Sequence, residues 1–208
     1  MALSGKADIH EALQKVGELL ALENVSYAIV VVGGAAMNLL GFVERVTTDV
    51  DILAFAHTTG GEPAELEEAP KPMPAPLVRA ARTVARDLGL ETDWLNTGPA
   101  LQWQSGFPPG LAQRVRWRRY AALHVGLVDR RDLIFLKLYA AADAKGPESV
   151  HYQDLVALMP NADDLQAAKD WVEAQDPSPG FQATLEKVVT HVATDLKFDG
   201  RNKPESAR

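Results

Sequence analysis

Apolar residues recur with helical spacing near the start of the chain, where Ile9, Leu13, Val16 and Leu20 fall on one face of the segment from Ala7 to about Leu22. This predicts an amphipathic helix. The run YAIVVV, residues 27 to 32, predicts a short buried strand. Gly33 and Gly34 interrupt it, and AAMNLLG, 35 to 41, predicts a short helix with a glycine stop. A second strand is predicted over TDVDILAFA, 48 to 56. Residues 57 to 76 are rich in proline, glycine and glutamate without sustained periodicity, which predicts a long surface loop. PLVRAARTVARDLG, 76 to 89, then reads as a helix with Leu77, Ala81, Val84 and Leu88 on one face and Arg79, Arg82 and Arg86 on another. LETDWL, 90 to 95, predicts a third strand.

Further on, QRVRWRRYAALHVGLVD, 113 to 129, predicts two short strands or a hairpin, with Arg114, Arg116 and Arg118 on one face and Val115 and Trp117 on the other. Asp129 opens a helix, RRDLIFLKLYAAADAK, with Asp132 three residues after the capping position. Helices are also predicted over about 149 to 159, 162 to 175 and 178 to 197. The last carries Phe181, Leu185, Val189, Val192 and Leu196. Mixed α and β followed by helices alone predicts an α/β core over residues 1–128, a C-terminal helical region over 129–200 packed on that core, and a flexible polar tail over 201–208.

Composition narrows the function classes. With 208 residues, 47% hydrophobic and 24% charged, the chain can bury a sizeable core in one large domain, or in one domain with a helical appendage. The absence of cysteine excludes disulfides, thiolate metal sites and cysteine nucleophiles. The five histidines include no pair at i, i+4, so no zinc site is read, and no Gly-x-Ser-x-Gly elbow points to a serine hydrolase. A net charge of −7 gives no general attraction for nucleic acid or an anionic membrane, leaving only local basic patches. No apolar run approaches the roughly 20 residues that span a bilayer. No basic and apolar leader precedes the first helix. A cytoplasmic protein without membrane partners is expected.

Asp49 and Asp51 carry the strongest chemical signal. Alternation along a strand puts both on one side, with Val50 and Ile52 on the other. Two adjacent carboxylates repel each other and lose hydration in dry surroundings, and a divalent cation relieves both penalties. Hard oxygen ligands suit Mg²⁺ or Mn²⁺, which in turn bind nucleotide phosphates. The plainer reading is a pair of carboxylates at a solvated strand end. Gly33 and Gly34 would let backbone N–H groups approach a triphosphate, with the helix start at Ala35 directing its positive end at the anion. Taken alone they also fit an ordinary tight turn. A Walker-type lysine with serine or threonine is absent, which excludes a P-loop NTPase.

A strand ending in Gly-Gly, a short helix and then an Asp-x-Asp strand together resemble the signature of the DNA polymerase β-type nucleotidyltransferase superfamily. RVTTDVD looks like the Arg-x-Thr-x-Asp-x-Asp form of AbiEii-type toxin nucleotidyltransferases and related uncharacterised bacterial nucleotidyltransferase-like proteins. DWLN (93 to 96), DLIFLKLYAAAD and the later QDL (153 to 155) also resemble that group, so the likeness spans about residues 27 to 158.

The resemblance implies a nucleotidyltransferase-fold mixed β-sheet flanked by helices, and transfer of a nucleotide from an NTP to a hydroxyl acceptor. Asp49 and Asp51 would hold Mg²⁺ or Mn²⁺, and a third carboxylate would complete the centre. Asp93 is the candidate for it, with Glu91, two residues away on the same face, also open. Gly33 and Gly34 would receive the nucleotide phosphates. Arg45 and Thr47 would either shape the loop or touch phosphate. Lys137 would contact phosphate or snorkel to solvent, with Asp154 orienting it or another base. An RNA end or a protein would be the acceptor, and a cognate toxin or antitoxin chain the partner. Two alternatives stand beside this: a catalytically degenerate binding protein of the same fold, and transfer to a small molecule as in antibiotic-modifying relatives. The arginines of RVRWRRY fit an anionic groove for RNA or triphosphate, or a solvated outer face.

Overall fold

The computed structural model describes residues 2–59, 61–144, 146 and 148–197, and the predicted tail over 201–208 lies outside them. The chain divides into two units between Asp129 and Arg130.

In the first unit, helix α1 (Lys6–Leu22) buries Ile9, Leu13, Val16 and Leu20, the four positions picked out by periodicity. Strand β1 (Tyr27–Val32) is buried almost throughout and runs directly into helix α2 (Gly33–Leu40), which Gly41 ends in the left-handed conformation. Strand β2 (Val50–Thr59) pairs antiparallel with β1, with Val32 opposite Asp51. The register steps from Val30 opposite Ala54 to Val31 opposite Ile52, so Leu53 is the extra residue of a bulge.

The long loop expected over 57–76 is corrected. Strand β2 continues to Thr59 and turns back as strand β3 (Glu62–Glu67), antiparallel to it and at one end of the sheet. Its polarity and Pro63, which read as loop, are features that edge strands tolerate, because their outer face and outer N–H groups meet water.

Helix α3 (Ala75–Leu88) packs against α1, and Arg79 reaches Glu23 at 2.6 Å. The expected third strand is also shorter than read. Residues 91 to 94 form a turn, and β4 is only Leu95–Asn96, parallel to β2 with Val50 opposite Leu95 and Asp51 opposite Asn96. Trp94, 1% exposed, anchors this point by donating its indole N–H to the Ala81 carbonyl at 3.0 Å. β4 is short because β3 takes the same edge of β2 further along.

A 3₁₀ turn (Gly98–Leu101) and short helices α4 (Gln102–Ser105) and α5 (Leu111–Arg114) lead to the hairpin of β5 (Arg116–Tyr120) and β6 (Leu123–Leu127). Arg114 ends α5 and so does not continue the β5 face with Arg116 and Arg118. β6 lies parallel to β1, giving a sheet in the order β3-β2-β1-β6-β5 with β4 beside the start of β2. The fold is mixed α/β, with a mixed sheet flanked by helices and a C-terminal helical part.

The second unit contains α6 (Arg130–Asp143), α7 (Val150–Ala157), α8 (Ala162–Gln175) and α9 (Pro179–Asp195), with α6 packed on the other three. Ser149 caps α7, and Asn161 with Asp164 forms a capping box on α8. On α9 the buried set is Phe181, Leu185, Val188 and Val192, with Val188 in the place read for Val189. Inside the unit, Lys137 and Asp154 form an ion pair at 2.7 Å with side chains only 7% and 2% exposed. The Tyr152 hydroxyl donates to Asp195 at 2.6 Å. Burial first, and the Asp195 carboxylate second, hold that phenol above its ordinary pKa. Among the described residues no helix is long and apolar enough to cross a membrane.

Candidate functional site

α2 begins at Gly33 itself, so the glycine pair forms the first turn of the helix rather than a loop before it. The N–H groups of that turn have no carbonyl four residues back to bond. Gly33 adopts φ +72°, a region costly for other residues, and a Cβ there would lie 2.5 Å from Asp51 Oδ2. A Cβ on Gly34 would meet Arg45 Nη2 at 2.9 Å and Thr47 Oγ1 at 3.0 Å. The two missing side chains therefore open the helix start to a carboxylate, a guanidinium and a hydroxyl.

The segment between α2 and β2 is held in place by three sets of bonds. Buried Asn38 donates its amide to the Gly34 carbonyl at 3.0 Å and accepts from the Arg45 N–H at 3.2 Å, tying the loop to the helix. Thr47 forms a two-way backbone bridge with Leu3, both bonds 2.9 Å, so the chain's N-terminal segment fixes the loop from outside. The Thr47 hydroxyl lies 3.3 Å from the Asp49 carbonyl and 3.4 Å from Asp49 Oδ1.

Asp49 stands immediately before β2 and Asp51 inside it, both half-buried. Asp49 is linked to Gly34 through Thr47, and Asp51 lies against Gly33, so both carboxylates serve the same helix start. Across the β2–β4 pairing, Asn96 Nδ2 donates to Asp51 Oδ1 at 3.2 Å. Gly33, Gly34, Arg45, Thr47, Asp49 and Asp51 are thus gathered into one group, joined by Asn38 and Asn96.

The residues read as a third carboxylate are placed differently. Asp93 and Glu91 are exposed in the turn before β4, and the β4 residue beside Asp51 is an amide, Asn96. Among the described residues no group of three or more His, Asp or Glu is placed to hold a metal ion. Two carboxylates and a hydroxyl still suit one hard divalent cation, because Mg²⁺ keeps most of its shell as water and substrate phosphate around one or two protein carboxylates.

No family model matches the chain, and no curated protein or solved structure matches it.

Lys137 belongs to the helical unit, where its ammonium meets Asp154. Of the arginines on the hairpin, Arg116 pairs with Asp129 at 3.3 Å and Arg118 donates to the Leu39 carbonyl at 3.4 Å. The sequence did carry a signal for Asn38, a polar residue inside an apolar helix. For Asn96 it carried only adjacency to a predicted strand, and for the Leu3 bridge it carried none.

Gly33→Ala is expected to cost about 1–2 kcal/mol from the left-handed backbone alone. It should also push Asp51 aside. Urea unfolding measures the first effect, and, on the reading that Asp49 and Asp51 hold a cation, Mn²⁺ titration of the folded variant registers the second as weaker binding.

Proposed function

We propose that the protein is a metal-dependent nucleotidyltransferase, moving a nucleotide from an NTP to a hydroxyl acceptor on an RNA end or a protein, and suited to a toxin–antitoxin role. The observation that carries this reading is the meeting of Asp51 with Gly33 and of Arg45 and Thr47 with Gly34 at one helix start. Such a group offers carboxylates for a cation, together with backbone N–H groups and a guanidinium for phosphate. The order of Gly-Gly, short helix and Asp-x-Asp is that of the DNA polymerase β-type superfamily, which supports the same assignment.

In this reading the N–H groups of the first α2 turn and the Arg45 guanidinium receive the triphosphate. Thr47 steadies Asp49, and Asn96 steadies Asp51. Mg²⁺ or Mn²⁺ held by Asp49 and Asp51 would supply charge stabilisation at the phosphates. The acceptor oxygen bonds to the α-phosphorus, the bond from that phosphorus to the bridging oxygen breaks, and pyrophosphate leaves. The acceptor's proton passes to solvent. Helix dipole and fixed donors favour the extra charge of the transition state because they need no reorganisation.

Incubation with each labelled NTP, Mg²⁺, total RNA and lysate protein tests the proposal. One NTP should label one discrete RNA or protein band. A complete absence of label with all four NTPs, with protein shown to be folded, would count against transfer. Asn96 favours a second reading, a degenerate relative that binds without turnover. Calorimetric, metal-dependent NTP binding without transferred label would select it.

A further inference from the structure

We propose that Asn96 is a positioning residue that makes the Asp49–Asp51 centre a site for one divalent cation per bound nucleotide rather than for a pair of cations. The inference rests on the nucleotidyltransferase reading and adds the number of metal ions to it.

The orientation of the Asn96 side chain is determined by its surroundings. The Gly98 backbone N–H donates to Asn96 Oδ1 at 2.8 Å. A backbone N–H can only donate, so the atom facing Gly98 must be the carbonyl oxygen, and the NH₂ end is turned to Asp51 Oδ1 at 3.2 Å. The position of the residue is equally constrained. Asn96 is the register partner of Asp51 across β2 and β4, and buried Trp94, bonded to Ala81, holds the start of that short strand.

Two consequences follow from an amide at this point. Asp51 accepts a hydrogen bond on Oδ1 while Oδ2 lies toward Gly33, so the amide on one side and the helix start on the other fix the plane of the carboxylate. The NH₂ group also directs its positive hydrogens at the centre, where a paired-metal arrangement would want a carboxylate. Two divalent ions roughly 3.5–4 Å apart bring four positive charges, and a shared set of carboxylates normally offsets them. Here the described residues supply Asp49 and Asp51, and the third place is occupied by a donor.

The test uses the full chain with Mn²⁺ and a non-hydrolysable NTP analogue, followed by electron paramagnetic resonance. The wild-type complex should hold one Mn²⁺ with no spin coupling. Asn96→Asp should hold two Mn²⁺ ions, seen as a dipolar-coupled pair. Asn96→Ala should keep one ion with affinity weakened about tenfold, the lower end of the effect of removing an outer partner of a metal ligand. Circular dichroism establishes that each variant is folded, and Asn96→Asp serves alone should the alanine variant fail to fold.

A coupled Mn²⁺ pair in the wild type overturns the inference while leaving the nucleotidyltransferase reading in place. Unchanged Mn²⁺ affinity in Asn96→Ala overturns the positioning role. A single ion in Asn96→Asp overturns the claim that this residue sets the count. No protein-bound Mn²⁺ in the wild type, with or without the analogue, overturns the underlying reading itself.

Discussion

On the proposed reaction, replacing Asp49 and Asp51 together with alanine should lower nucleotidyl transfer by at least about a thousandfold, since even one lost electrostatic contact to a transition state costs a factor of about 10²–10³. The fold should survive. Asp49 precedes β2 and Asp51 is half-buried, so water can reach the groups left behind. Removing two neighbouring carboxylates also relieves their mutual repulsion, and the Asn96 amide loses one acceptor. These effects oppose each other, and the stability change is expected to stay within about 1 kcal/mol. Initial rates with labelled NTP and urea unfolding of the same preparation separate the two quantities. Retained transfer would place the chemistry elsewhere; loss of the fold would make the pair structural.

Asp154→Ala should have the largest effect on stability, about 3–5 kcal/mol, because it leaves the Lys137 ammonium buried without its carboxylate. Replacing both partners with apolar residues, Lys137→Met with Asp154→Leu, should recover most of that loss, since neither charge then needs desolvation. Urea unfolding of the single and double variants measures the difference. The double variant also examines the phosphate role read for Lys137. We expect its KM for NTP to match the wild type, because the ammonium is already neutralised at 2.7 Å within the helical unit. A KM raised tenfold or more would restore Lys137 as a phosphate contact.

Much of the fold was legible along the chain. α1, β1, α2, α3 and the four C-terminal helices announce themselves through periodicity, caps and glycine stops, which are local properties. β3 was not legible. An edge strand meets water on one side and tolerates proline and glutamate, so its composition is that of a loop until β2 is present to pair with it. The third strand failed for a related reason: LETDWL has the composition of a strand, yet only Leu95 and Asn96 find a partner edge.

For the candidate site, the sequence by itself named the two glycines and the two aspartates, although the alternation argument for the aspartates assumed a strand that in the structure begins only at Val50, after Asp49. Arg45 and Thr47 could be named but not placed. The tertiary structure decided that they lie against Gly34, because the loop carrying them is fastened by Asn38 on one side and Leu3 on the other. It also decided that Asn96 rather than Asp93 stands beside Asp51. Side-chain alternation is a local rule and can be read from one strand. Which residue a strand meets across the sheet depends on register, and register here is set by Trp94 closing onto α3, a contact between residues 13 positions apart.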